Sequence, residues 1–157
     1  ITHRLPIGNT VFETDILVEG APSARSTLFQ IHDGRNKGAP PSWIGVGGDW
    51  KIKHKFPKGE CSSENCKMIK YLYLEPGKEY RFKAEINYEK NAKNLSVRYY
   101  LNDIFMLQHL NVPLSKKNTD GPYGPSKPYM KIGIYRIGET GTTTYSYKNL
   151  IIKNKKK

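Results

Sequence analysis

The chain has 157 residues, 37% apolar and 25% charged, a balance that suits one domain around a single hydrophobic core. No apolar run approaches the ~20 residues that cross a bilayer, so no spanning helix is expected; no signal peptide is visible, and the start at Ile1 without Met is read as a mature or trimmed form. The net charge of +12 points to a polyanionic partner, whether nucleic acid, anionic membrane or acidic polysaccharide.

In chain order the pattern is strand after strand. Thr10 to Val18 is rich in β-formers, and Thr27 to His32 alternates, with Leu28, Gln30 and His32 on one face and Phe29 and Ile31 on the other. Short strands are expected over Trp43 to Val46 and Trp50 to Lys55, around Gly47-Gly48, and another from Lys67 to Leu74. Glu75-Pro76-Gly77-Lys78 is a turn signal. Tyr80, Phe82, Ala84, Ile86 and Tyr88 then alternate with polar residues as in a half-buried antiparallel strand. Leu95 to Leu101 and Ile104 to Gln108 flank Asn102-Asp103, a tight-turn pair. Asn111 to Pro128 reads as a long loop, Tyr129 to Arg136 as an alternating strand, and Thr143 to Lys153 as the last strand. No long amphipathic helix is present. About ten short strands with Gly and Pro between them predict an all-β jelly roll, a concanavalin-like sandwich of antiparallel sheets. One domain is expected over residues 1–152, followed by a basic tail, 153–157.

Setting aside Lys153, Lys155, Lys156 and Lys157 leaves a charge of +8, spread along the chain as for a broad basic face rather than a basic arm. Cys61 and Cys66 cannot by themselves build a tetrahedral zinc site. They read as a local disulfide closing a loop, which implies an oxidising compartment and a secreted protein; the alternative is two plain thiols. His3, His54 and His109 carry no pattern and are taken as incidental.

Two strands put polar groups where a plain sandwich needs none. In Phe29-Gln30-Ile31-His32-Asp33, Gln30 and His32 share a face. In Tyr129-Met130-Lys131-Ile132-Gly133-Ile134-Tyr135-Arg136, Tyr129, Lys131, Gly133 and Tyr135 share a face, and Met130, Ile132 and Ile134 point to the core. Gly133 leaves a gap through which a sugar ring can approach the backbone. Trp43 and Trp50 are either stacking platforms for sugar or core residues. Tyr145 and Tyr147 share a face of the last strand and are candidates for lining a groove, with Arg25, Arg35 and Tyr129 as further substrate contacts.

The strings QIH and YMKIGIYR, in that order, resemble the paired signature of the jelly-roll polysaccharide lyases. The form is closest to the alginate lyases of polysaccharide lyase family seven, whose motifs read Gln-(Ile/Val)-His and Tyr-Phe-Lys-Ala-Gly-x-Tyr-x-Gln; heparin-lyase-I-like and glucuronan lyases share the architecture. HRLPIGNTVFETDILV resembles an early strand of that group. Ile137 stands where the alginate lyases have Gln, and their Arg-x-Glu-x-Arg strand has no match, which leaves Arg4, Arg25 or Arg35 to supply its positive charge.

The resemblance implies β-elimination next to a uronate. Such an enzyme removes the C5 proton, stabilises an enolate-like dianion and protonates the leaving O4. Gln30 and Lys131 are then the carboxylate-stabilising pair, and His32 and Tyr135 the candidates for base and acid. No cofactor or metal is expected; a structural calcium ion is compatible with the reading. The partner is an anionic polysaccharide, with no nucleic acid or membrane, and the protein is expected to be a monomer. The competing reading is a non-catalytic, lectin-like module on the same fold. A hydrolase would need paired carboxylates, and no such pair lies on one strand face.

Overall fold

A computed structural model describes residues 2–20, 25–33, 40–55, 72–89, 94–114, 128–133 and 143–155. They form ten strands: β1 (Thr2–Arg4), β2 (Gly8–Gly20), β3 (Arg25–His32), β4 (Ser42–Gly47), β5 (Ile52–Lys55), β6 (Glu79–Tyr88), β7 (Asn94–Leu101), β8 (Ile104–Pro113), β9 (Tyr129–Ile132) and β10 (Thr143–Lys155). Two five-stranded antiparallel sheets result, the first in the order β1-β9-β3-β4-β5 and the second β10-β2-β6-β7-β8. Among the described residues there is no helix. The all-β sandwich expected from the strand pattern is present.

Period-two alternation sets the layers. In β2, Phe12, Ile16 and Val18 are buried while Val11, Glu13 and Asp15 face outward, and β6 repeats this with Tyr80, Phe82, Ala84 and Ile86 inside. The centre of the core is aromatic. Phe29 of the first sheet lies 5.2, 5.7 and 5.8 Å from the rings of Phe12, Phe82 and Tyr99 of the second, in the tilted and edge-on geometries that aromatic pairs favour. Asn102 and Asp103 both have positive φ (50° and 62°), as a two-residue hairpin turn between β7 and β8 requires. Gly77, with φ of 77°, serves the turn before β6.

Three boundaries differ from the sequence reading. The last strand does not give way to a tail at Lys153. β10 runs on to Lys155, with Lys153, Asn154 and Lys155 registered against Val11, Thr10 and Asn9 of β2, because the long β2 offers an unfilled ladder that outweighs lysine's modest preference against strand. For the same reason β8 continues to Pro113 alongside β7, beyond the expected loop boundary at Asn111. Trp50 is not in a strand; it has φ of 59° in the turn before β5.

Candidate functional site

β3 and β9 are neighbours in the first sheet, and their register brings the two polar faces together. Gln30 is opposite Lys131, and His32 is opposite Tyr129. Directly opposed side chains in such a pair lie within about 5 Å at Cβ. The Gln30 row continues to Thr2 of β1 beyond Lys131, and to Trp43 of β4 and Lys55 of β5 on the other side. The His32 row continues through Tyr129 to Arg4. The His32 and Tyr129 rings stack in parallel, 6° apart in plane with centroids 4.9 Å apart. This is the side of the sheet that faces away from the core, since Phe29, Ile31, Met130 and Ile132 occupy the inner side.

The face is graded in depth. Gln30, Trp43 and Tyr129 are buried, His32 is half-buried and Lys131 is exposed. Trp43 lies over Gly45, where a Cβ would come within 3.0 Å of the indole and 2.1 Å of the Ser26 carbonyl oxygen. Trp43 is thus a buried, packed side chain, although it stands on the outer face in register with Gln30. At Gly133 a Cβ would meet nothing within 4 Å, so the expected gap beside Lys131 is open.

Charge divides between the sheets. The five strands of the first sheet contain no Asp or Glu and carry Arg4, Arg25, Lys53, Lys55 and Lys131. The second sheet carries Glu13, Asp15, Glu19, Glu79 and Glu85, and most of these are paired there: Arg81 with Glu13 and Asp15, Lys83 with Glu85, and Lys148 with Glu79. Most of the second sheet's carboxylates are therefore neutralised by cations of the same sheet. Lys53 of the first sheet pairs with the loop carboxylate of Asp49 at 3.4 Å.

Two residues proposed from sequence as groove-lining do not belong to this face. Tyr145 and Tyr147 lie on β10 in the second sheet, opposite Val18 and Ile16, and point into the core. The Tyr145 hydroxyl hydrogen-bonds Ser26 Oγ, and the Tyr147 hydroxyl donates to the Leu28 carbonyl at 3.3 Å. Both rings cross the sandwich and tie β10 to β3 from inside. Burial raises the pKa of both phenols. Period two placed them correctly on one face, but which sheet β10 joins is a tertiary fact. Arg25 opens β3, opposite Gly47; its side chain, and Tyr135, Arg35, Cys61 and Cys66, lie outside the described residues.

Sequence reasoning missed Lys53 and Lys55, and it passed over His54 and His109. These histidines occupy core-side positions, in step with Ile52 and Leu107, and that spacing was the available signal. They form a buried chain in which Tyr99 Oη and Ser42 Oγ are 2.8 Å apart, Ser42 Oγ and His109 Nδ1 2.7 Å, and His109 Nε2 and His54 Nδ1 3.1 Å. Burial, and secondarily the neighbouring His54, bring His109 down to about 3; burial also lowers His54 and raises Tyr99. Among the described residues no three His, Cys, Asp or Glu side chains converge as metal ligands do.

A family model described as polysaccharide lyase matches residues 17–150. No curated protein sequence matches the chain. The fold is similar to that of alginate lyase AlgAT5 from polysaccharide lyase family 7, with a TM-score of 0.61 at 13% identity, covering 99% of this chain and 63% of that one. It is similar to the alginate lyase from Corynebacterium sp. (TM-score 0.61, 9% identity, 99% and 62% covered). It is also similar to the marine family 7 alginate lyase AlyA1 from Zobellia galactanivorans (TM-score 0.59, 14% identity, 99% and 65% covered). The chain thus spans less than two thirds of the length of each, and at these identities the likeness is one of fold.

Proposed function

Because the chain belongs to the polysaccharide lyase family, we propose that it cleaves an acidic, uronate-containing polysaccharide such as alginate or glucuronan by β-elimination. The observation that carries this reading is the outer face of the first sheet. Gln30, His32 and Lys131 meet there, on strands that hold five cations and no carboxylate. A polyanion laid across that face meets Lys131 beside Gln30, with Lys55 farther along that row and Arg4 in the neighbouring one.

In this reading the uronate carboxylate sits against Gln30, whose amide donates a hydrogen bond to it, and Lys131 offsets the negative charge that builds as C5 loses its proton. The C5–H bond breaks toward a base, the C4–O4 bond breaks as the C4=C5 double bond forms, and O4 takes up a proton from an acid. His32 and Tyr135 are the candidates for these proton transfers, the latter carried over from the family motif. A phenol acting as base needs cations to lower its pKa from ~10, and Lys131, four residues earlier in the motif, is the candidate for this. Arg4, reached through Tyr129, fits the cation left unassigned by the missing arginine motif. A uronate polysaccharide is met outside the cell, so the reading includes secretion.

The test is to incubate the protein with alginate, glucuronan, a glycosaminoglycan and a neutral glucan while following the ultraviolet absorbance of the unsaturated product. Absorbance should grow with at least one uronate polymer and not with the glucan. Binding of uronate polymers with no unsaturated product would overturn the enzyme reading in favour of a lectin-like module.

A further inference from the structure

Tyr129 opens β9, which lies between β1 and β3, and its register partners are His32 on one side and Arg4 on the other. The backbone just before it is pinned as well, because the Leu5 N–H donates to the Pro128 carbonyl at 3.0 Å. Tyr129 is only 7% exposed. One face of its ring is covered by the half-buried imidazole of His32, 6° from parallel with centroids 4.9 Å apart. A sugar that stacks on a tyrosine needs an open aromatic face, and a ring so buried and covered does not offer one. We infer that Tyr129, expected from sequence to touch substrate, instead acts through His32: it is the positioning residue that sets the plane of the imidazole for proton transfer. The inference rests on the reading of this face as the uronate-cleaving one.

The plane of the ring has a chemical meaning. Both imidazole nitrogens exchange protons along directions that lie in that plane. The torsion that turns the plane, about the bond to the sp² ring, is broad and weakly held by local preference. A flat neighbour at stacking distance removes most of that freedom. It thereby fixes the line along which C5–H or O4 must meet His32. The sheet supplies this support from the β9 side. His32 ends β3, and the register with β4 stops one residue earlier, at Ile31 opposite Ser42, whereas Tyr129 is directly opposed to it. Turning the imidazole by half a turn keeps its plane. The stack therefore sets the direction of transfer, and the choice of nitrogen falls to the other interactions of His32.

The experiment compares wild type, Tyr129→Phe, Tyr129→Leu, His32→Ala and the Tyr129→Leu/His32→Ala double variant. Turnover and KM are measured on the uronate polymer that wild type cleaves best. The His32 ring protons are followed by NMR and assigned by their loss in His32→Ala. Tyr129→Leu should lower kcat about 10-fold with KM changed less than about 2-fold, and Tyr129→Phe, which keeps the flat ring, should recover kcat to within about 3-fold. In the His32→Ala background, Tyr129→Leu should cost less than about 2-fold more, since the residue it acts through is gone. The His32 ring protons, shifted by the aromatic ring against them, should move in Tyr129→Leu and stay in place in Tyr129→Phe.

A raised KM with unchanged kcat in Tyr129→Leu makes Tyr129 a substrate contact and overturns the inference. So does a full 10-fold loss in the His32→Ala background, an equal loss in Tyr129→Phe, or His32 signals that do not move in Tyr129→Leu. If Tyr129→Leu does not fold, wild type and Tyr129→Phe decide: ring-to-ring nuclear Overhauser effects in both, with kcat retained, support the role, and their absence overturns it. If the His32 signals behave as expected, yet wild type forms no unsaturated product from any uronate polymer, the failure is that of the proposed function, and the stack remains what orients His32.

Discussion

Tyr135 and Tyr145 are both tyrosines of alternating segments, and their expected behaviour separates chemistry from packing. Tyr135→Phe removes the proposed O4 acid while keeping the ring, so turnover on the best uronate polymer should fall by ~100-fold or more with little change in polymer affinity; near-normal turnover would put the acid elsewhere. Tyr145→Phe removes a hydroxyl whose partner is the core-side Ser26. Its expected cost is about 1 kcal/mol of stability by chemical denaturation, with turnover unchanged, the opposite profile. In the sequence the two could not be told apart, because alternation assigns neighbours to a face without saying which face looks inward.

At the scale of elements, the sharpest constraint is the close pass of β3 over β4 at Gly45. A Cβ there would lie 2.1 Å from the Ser26 carbonyl oxygen, which is backbone and cannot swing aside. Gly45→Ala should therefore cost about 1–3 kcal/mol by overpacking, read as a lower melting temperature, and should disturb the Trp43 ring that lies over the glycine. Strand existence was legible from period two and from the Asn102-Asp103 turn. Strand length was not, because β8 and β10 are extended by partner strands whose ladders need filling. The His54–His109 pair was illegible for a related reason: 55 residues separate two strands that meet only when the sheets pack.

For the whole molecule, two bulk properties follow. His109 titrates near 6.5 when unfolded and about 3 in the fold. Its contribution to stability is complete above pH ~6.5 and lost as pH falls, because the unfolded chain takes up a proton the folded one refuses; by pH ~5 the loss from this group is about 2 kcal/mol. Denaturant melts at pH ~7 and ~5 measure it, and equal midpoints would show that the folded imidazole is not held neutral. The charge division between the sheets should make polymer binding salt-dependent. As the screening length shrinks from ~10 Å at 0.1 M to ~3 Å at 1 M, affinity for a uronate polymer should fall, while any binding of neutral glucan should not.

The sequence by itself determined the all-β class, the turns and the alternation within most strands, while the pairing of QIH with YMKIGIYR came from the family resemblance. The class, turns and alternation depend on local rules, since two-residue periodicity and turn chemistry act within a few residues. Tertiary structure decided that Gln30 faces Lys131, that Tyr145 and Tyr147 are core struts, and that Arg4, Lys53 and Lys55 join the outer face. It also decided that a net charge spread along the chain gathers as five cations on strands free of acids. Those outcomes rest on which strands become neighbours, and that is settled by packing of the two sheets around Phe12, Phe29, Phe82 and Tyr99, a long-range energy that no short window of sequence contains.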